Sequence, residues 1–391
     1  MYIKRLMALI FCFVILGKTF AQTPTSETEA EIKSLAMYNA SQWKELLQYG
    51  KSAIDNHIDF PLLRMRIGYS AFMLGNYSQS LMQYSKVLEQ GAAAELTDAA
   101  LYYCYLNNVY LNNTSASGYY AAKLPEATRV NEKIQKVKLR VIEAEYGFKH
   151  PQDSLRGDAD YSRVGLGVQL GYRLQLNLSA AMYNQIINEQ GYVGVTNNNH
   201  IDIKQRELYA KLQFAVSGNV TFTGAYHYIY TPFNNFIYNN QIGYAALKYA
   251  TPFVQVQAAA NIGKLGDSSF HQYDGTISVL PLGNLNLYFI SRFSSGATFT
   301  ISQIAGLKVM KNVWLEGNVV VGKYKTLLEN DGLYVFNDID EKQLKAGGTI
   351  YVTLFKKLNV SANYTFEKKQ KIFTKNNFNQ QSINGGLVWN F

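Results

Sequence analysis

Ile383-Asn384-Gly385-Gly386-Leu387-Val388-Trp389-Asn390-Phe391 reads as a β-strand with two unlike faces. Successive side chains of a strand point to opposite sides, so Ile383, Leu387, Trp389 and Phe391 share an apolar face while Asn384 and Asn390 fall on the other. The same period of two runs back through the chain to about Val141. Val164, Leu166, Val168, Leu170 and Tyr172 share one face, and Arg163, Gln169 and Arg173 the other. Leu208/Ala210/Leu212/Phe214/Val216, Val254/Val256/Ala258/Ala260/Ile262 and Val360/Ala362/Tyr364/Phe366 repeat the pattern. Alternation of this kind builds either a soluble β-sandwich or a closed barrel with one apolar side, and the period alone does not separate them.

The connections favour the barrel. Short turns are expected near Leu174-Gln175, Ser217-Gly218-Asn219, Thr251-Pro252, Leu282-Gly283, Lys311-Asn312 and Lys356-Lys357, with longer polar loops between them at Glu189–Ile201, Leu327–Asp340 and Lys371–Asn379. Short turns on one rim and long loops on the other are the asymmetry of a membrane barrel. Aromatic residues gather in Tyr226-His227-Tyr228-Ile229-Tyr230 and at Phe233, Phe236 and Tyr238, where an interfacial girdle is expected. The quoted last strand resembles the C-terminal strand of outer-membrane barrels, which implies that Ile383, Leu387, Trp389 and Phe391 serve as an assembly signal. Thirteen strands are read between Tyr161 and Phe391, and Leu139–Lys149 supplies an additional one before them. About fourteen is an even number, as single-chain bacterial barrels have, with twelve as the alternative count.

Upstream, from about Ser26 to Arg140, the apolar spacing is helical and glycine is sparse. The stretch Leu62–Leu88 resembles a tetratricopeptide repeat: Gly68 where two helices approach, Gly75 and Tyr77 at the turn between them, and Tyr84 on the second helix. Trp43, Leu46 and Ala53 occupy equivalent places before it, and Leu106, Val109 and Gly118 after it. The fold class is thus α + β multidomain: N-terminal α-helical tetratricopeptide-like hairpins, then a transmembrane antiparallel β-barrel. Residues 1–21 read as a signal peptide, with Lys4 and Arg5 before the apolar Leu6–Gly17 and Thr19-Phe20-Ala21 at the cleavage site. Residues 22–138 form the helical domain, expected in the periplasm, and 139–391 the barrel in the cell outer membrane. Cleavage removes Cys12 and leaves Cys104 alone, so no intramolecular disulfide is expected.

With aliphatic positions outward, Arg163, Arg173, Lys211, Lys248, Arg292, Lys308 and Lys345 point to the lumen, against Glu207, Glu316 and Glu367. This set reads either as a basic pore for anionic solutes or as side chains paired across a plugged interior. The net charge of +9 lacks a clustered basic stripe, so nucleic acid is not an expected partner. The five histidines, His57, His150, His200, His227 and His271, have no second ligand at metal spacing, and neither metal nor cofactor is expected. His227, inward on a strand, is the one candidate for a Ser-His pair acting on lipid; its plainer reading is a polar lumen residue. Asn197-Asn198-Asn199 and Asp331-Gly332 read as hydrophilic loop tips.

The combination resembles exopolysaccharide-export barrels with periplasmic repeats and YaiO-type barrels. That resemblance implies a non-enzymatic pore or anchor whose repeats bind a periplasmic protein or peptide, with export of an anionic polymer or glycan. A solute-uptake porin and a lipid-acting barrel enzyme are the alternatives. Outer-membrane lipid and the barrel-assembly machinery are the further expected partners.

Overall fold

The computed structural model describes residue 24 and residues 26–188, 201–233, 236–266, 268–372 and 374–391. The signal-peptide reading, the Asn197-Asn198-Asn199 loop and His200 lie outside these residues. Seven helices and fourteen strands are described. The helices are α1 (Glu27–Asn39), α2 (Trp43–Asp55), α3 (Pro61–Met73), α4 (Tyr77–Glu89), α5 (Ala94–Tyr110), α6 (Thr114–Lys123) and α7 (Glu126–Asn131). The chain divides into two compact units, with the boundary between Tyr103 and Cys104, inside α5.

In the first unit the local signals act as the spacing predicts. Ser26 Oγ accepts a hydrogen bond from the Glu29 amide and caps α1, and Pro61 opens α3, where its missing N–H costs nothing. Gly75 takes φ +73°, which ends α3, and Asn76 Oδ1 then accepts from the Gln79 amide to start α4. Ala53, Leu63 and Ile67 form a core between α2 and α3, closed by Leu47, Ile54, Ile58 and Phe60. A Cβ on Gly68 would lie 3.0 Å from the Tyr84 ring, so this glycine sets the approach of α3 to α4. Tyr84 is buried and stacks on Tyr103 at 4.6 Å between centroids. Tyr77 meets Phe72 edge-on across the turn.

The second unit holds the sheet: β1 (Lys138–Pro151), β2 (Arg156–Gly171), β3 (Leu174–Ile187), β4 (Ile201–Ala215), β5 (Val220–Phe233), β6 (Phe236–Ala250) and β7 (Val254–Leu265). It continues with β8 (Ser268–Val279), β9 (Leu287–Ser295), β10 (Phe299–Met310), β11 (Val313–Glu329), β12 (Tyr334–Leu354), β13 (Leu358–Gln370) and β14 (Asn377–Asn390). Each strand pairs antiparallel with its sequence neighbours, and β14 pairs with β1 from Val141↔Asn390 to Pro151↔Gln380, closing a fourteen-stranded barrel. The strand read from Leu139–Lys149 is β1, and it supplies the closing edge.

The outward face is apolar. Ile142, Val164, Leu166, Leu208, Leu212, Phe222, Leu247, Ile262, Leu315, Ile350, Tyr364, Ile383 and Leu387 all expose their side chains, which in water would be an aggregation surface and in lipid is the solvent-matched one. At the rim where the chain enters β1 and leaves β14, Phe355, Trp389 and Phe391 are exposed together. No described helix is long and apolar enough to cross a membrane, which leaves crossing to the strands.

Three connections differ from the sequence reading. The first short turn is Tyr172-Arg173, since Leu174 and Gln175 already pair with Phe214 and Gln213. The connection near Leu282-Gly283 runs over 280–286. The expected loop Leu327–Asp340 is almost all strand, with only residues 330–333 between β11 and β12. Its content explains the difference: Leu327, Leu328, Leu333, Val335 and Phe336 are too apolar for a solvated loop. β11 and β12 contain 17 and 21 residues, well beyond the roughly 10 that cross a membrane. The excess does not extend outward. Gly322 takes φ +134°, and a Cβ there would sit 2.6 Å from the Phe299 carbonyl oxygen, so only glycine permits this bend. The β11–β12 register slips beside it, at Tyr324↔Lys342 and Thr326↔Asn337, leaving 338–341 as a bulge.

At the short-turn rim α6 packs against β3, β4 and β5. Gly118 fits against the Tyr172 carbonyl, where a Cβ would overlap the oxygen. The glycine read as repeat packing therefore seats α6 on the barrel's first turn.

Candidate functional site

Beyond Gly322 the β11–β12 hairpin turns into the lumen and reaches the opposite wall. Its tip is held there by four strands. Asp331 accepts from Lys211 Nζ at 3.0 Å on β4 and from Tyr244 Oη at 2.7 Å on β6. The Tyr209 hydroxyl donates to the Asp331 carbonyl at 2.8 Å, and His227 Nδ1 on β5 to the Gly332 carbonyl at 2.9 Å. Gln257 on β7 supports Tyr244 at 2.9 Å. The Asp331-Gly332 tip thus sits among lumen side chains rather than in bulk water; its polar groups face a ring of wall donors that a solvated tip would not need.

The rest of the hairpin is clamped along its length. Gln272 on β8 donates to the Leu328 carbonyl and accepts from the Leu328 amide, both at 3.0 Å, as a neighbouring strand would. Arg292 on β9 donates to the same carbonyl and pairs with Asp274 at 3.0 Å. Tyr334 Oη donates to Glu145 Oε2 at 2.7 Å on β1, and Glu145 and Glu143 hold Arg163 on β2. Asp340, in the bulge, meets Arg156 through two hydrogen bonds of 2.7 and 3.0 Å. Asp338 pairs with Lys342 at 2.7 Å and Lys369 at 3.1 Å, and Glu367 lies between the same two lysines. Phe336 packs under Lys342 and Lys345, each 4.3 Å from its ring centre. Buried charges are stable only when paired and hydrogen-bonded, and these are.

The basic residues predicted for the lumen separate into three groups. Arg163, Lys211, Arg292 and Lys345 face inward, each with a carboxylate: Glu143 and Glu145, Asp331, Asp274, and Glu329 respectively. Lys248 lies inward between the exposed Leu247 and Tyr249, and Lys308 covers the Trp314 ring near the short-turn rim. Arg173 does not line the lumen. It occupies the β2–β3 turn, where it donates to the Ala215 and Val216 carbonyls at 2.7 and 2.6 Å and stacks on Tyr119 and Phe214, because a turn position follows neither face of a strand. Of the three predicted glutamates, Glu367 joins the lysine cluster, Glu316 accepts from Tyr288, and Glu207 lies 3.2 Å from His227 Nε2.

Sequence reasoning did not single out Glu329, Asp338 and Asp340 on the hairpin, nor Arg156, Lys342 and Lys369 around it. The available signal was the pair of apolar runs Leu327-Leu328 and Leu333-Tyr334-Val335-Phe336 on either side of Asn330-Asp331-Gly332, a strand–turn–strand pattern that marks the segment as a hairpin. Between the hairpin and the wall remains a cavity of about 430 Å³, lined by groups such as Tyr161, Tyr183, Asn318, Tyr351 and Asn363. Among the described residues no cluster of three His, Cys, Asp or Glu is arranged to hold a metal.

A closed, even-stranded antiparallel barrel with an apolar outer face and a charged, polar interior defines an outer-membrane β-barrel. No protein-family model matches the chain, and no curated protein does. Among solved structures it is similar to the TodX deltaS2S3 mutant monoaromatic hydrocarbon channel, at 8% identity and TM-score 0.44, covering 66% of this chain and 90% of that one. A Pseudomonas aeruginosa FadL homologue gives 9% identity and TM-score 0.42, covering 70% and 92%. The Acinetobacter baumannii outer membrane protein Omp33 gives 8% and 0.38, covering 65% and 99%. The class rests on the closed sheet and its two faces rather than on these likenesses.

Proposed function

We propose that this protein is a gated, non-enzymatic outer-membrane channel in which the β11–β12 hairpin is the gate and anionic polymers are the cargo. One observation carries the reading: the hairpin presents Glu329, Asp331, Asp338 and Asp340 to Lys345, Lys211, Lys342, Lys369 and Arg156. The gate's carboxylates stand where an anionic chain would sit once the gate has moved, and displacing it exposes fixed cations that concentrate anions in a narrow channel. In this reading the helical hairpins lie in the periplasm, act as a tetratricopeptide-like docking module for a protein or peptide, and couple its arrival to export. The outward residues Ile383, Leu387 and Trp389 of β14, with Phe391 just beyond it, serve the assembly machinery.

The test is single-channel conductance in planar bilayers. The intact protein is expected to be nearly closed, and a variant with Leu327–Phe336 replaced by a short glycine-serine turn is expected to conduct anions in preference to cations. A variant as closed as the parent ends the gate reading. Export and uptake separate on a second truncation: removing residues 22–138 abolishes polymer export while the barrel still inserts, whereas solute uptake survives it.

A further inference from the structure

His227 is 2% exposed, and it bridges two groups that only accept hydrogen bonds. Its Nδ1 lies 2.9 Å from the Gly332 carbonyl oxygen at the hairpin tip. Its Nε2 lies 3.2 Å from Glu207 Oε2 on the adjacent strand, off the line of a good hydrogen bond. A neutral imidazole carries one N–H and cannot serve both. With the tip seated, Nδ1 holds the hydrogen that meets Gly332, and Nε2 then turns a bare lone pair to the Glu207 carboxylate at 3.2 Å unless a second proton lies between them. With the tip withdrawn, one proton suffices: Nε2–H faces an ionised Glu207, and Nδ1 accepts from water.

Most of the other charged and titratable groups in this part of the lumen have partners of their own; the Tyr161 hydroxyl, buried near Glu207, has none among the described residues. On β4, Lys211 pairs with Asp331 of the tip, and Tyr209 donates to the Asp331 carbonyl. On β6, Tyr244 donates to Asp331, and Lys248 lies further toward the short-turn rim. On β2, Arg163 is held by Glu143 and Glu145, which also takes the Tyr334 hydroxyl, and Tyr161 lines the cavity beside Glu207. On the hairpin, Glu329 pairs with Lys345. Glu207 therefore has His227 as its cation.

We propose that gate closure is coupled to the uptake of one proton by the His227–Glu207 pair, so that the channel is held shut in acid and released as the pH rises. The inference rests on the gate reading above and adds its regulation. One proton bound by the closed state and not by the open one changes the open-to-closed ratio by up to about tenfold per pH unit above the transition.

The experiment measures conductance of the full-length protein against pH, together with amide hydrogen exchange of residues 330–333 corrected for intrinsic rates. In the parent protein, open probability and exchange are expected to rise with pH. His227→Gln keeps an N–H for Gly332 but does not titrate, and its profile is expected to be flat. Glu207→Gln offers an amide N–H to Nε2, so a neutral His227 serves both contacts, and the profile is expected to flatten with the channel held shut. A flat parental profile, or a His227→Gln profile that superposes on the parent, overturns proton coupling. The hairpin replacement separates the two failures: if it opens the pore while the parent shows no pH dependence, coupling alone falls, and if it does not open the pore, the gate itself falls.

Discussion

Asp340 and Arg156 are 5% and 3% exposed in a fork of two hydrogen bonds, and neither charge is stable there without the other. Removing one partner of a buried pair costs about 3–5 kcal/mol, while replacing both by apolar groups is often neutral. Asp340→Leu is therefore expected to destabilise the folded barrel by about 3 kcal/mol in urea titrations, and Arg156→Met/Asp340→Leu to recover most of that loss. No recovery in the double variant would show that the fork does not act as a unit. In the helical unit, Arg64 donates to both Asp59 oxygens, at 2.7 and 2.6 Å, and holds that carboxyl below the usual carboxylate range. A depressed folded value means a contribution fully present above the ordinary aspartate value near 3.9 and lost as pH falls through the folded one. Asp59→Asn is expected to lower the exchange protection of α3 at neutral pH and leave little difference from the parent in strong acid.

At the scale of the element, β14 tests whether the outward face meets lipid. Ile383 and Phe391 are both exposed, but Ile383 pairs mid-strand with Phe148 and Tyr364 while Phe391 lies at the rim. Arginine on the lipid side of a barrel costs about 2–4 kcal/mol at the midplane and about 0–1 at the interface. Ile383→Arg is thus expected to lose several times more stability than Phe391→Arg in barrels refolded into vesicles, and equal losses would count against the depth assigned to this strand. The strands themselves were legible in their period of two, and β1 was found because topology required an ascending partner. The β11–β12 connection was misread because polar residues such as Asn330, Asp331 and Asp338 dominate its appearance. The leucines and Phe336 beside them belong to a hairpin, in which Leu327 is buried against Val320 and Tyr324 and Phe336 lies under Lys342 and Lys345.

For the whole molecule, the consequence is a lumen whose charge depends on the hairpin's position. Removing the tip leaves Lys211, Lys248 and Arg292 on the wall with fewer acids opposite. In the hairpin-replaced channel, Lys211→Glu with Arg292→Glu is expected to reverse selectivity from anions to cations, measured as reversal potential under a salt gradient. Unchanged selectivity would mean that ions pass along another part of the lumen.

Periodicity and local chemistry by themselves determined the order of helices before strands, most of the strands and the two faces of the sheet, because alternation, glycine and capping signals act between near neighbours. They also identified Arg163, Lys211, Lys248, Arg292 and Lys345 as an inward basic set, since the side of a strand follows from its period. Only the tertiary structure decided what those cations face. Whether Asp331 meets water or Lys211 depends on a bend at Gly322 and on closure of β14 onto β1, which together bring residues 120 positions apart to 3.0 Å. No local pattern encodes that distance, because it is set by the diameter of the closed sheet and the direction in which one hairpin leaves it.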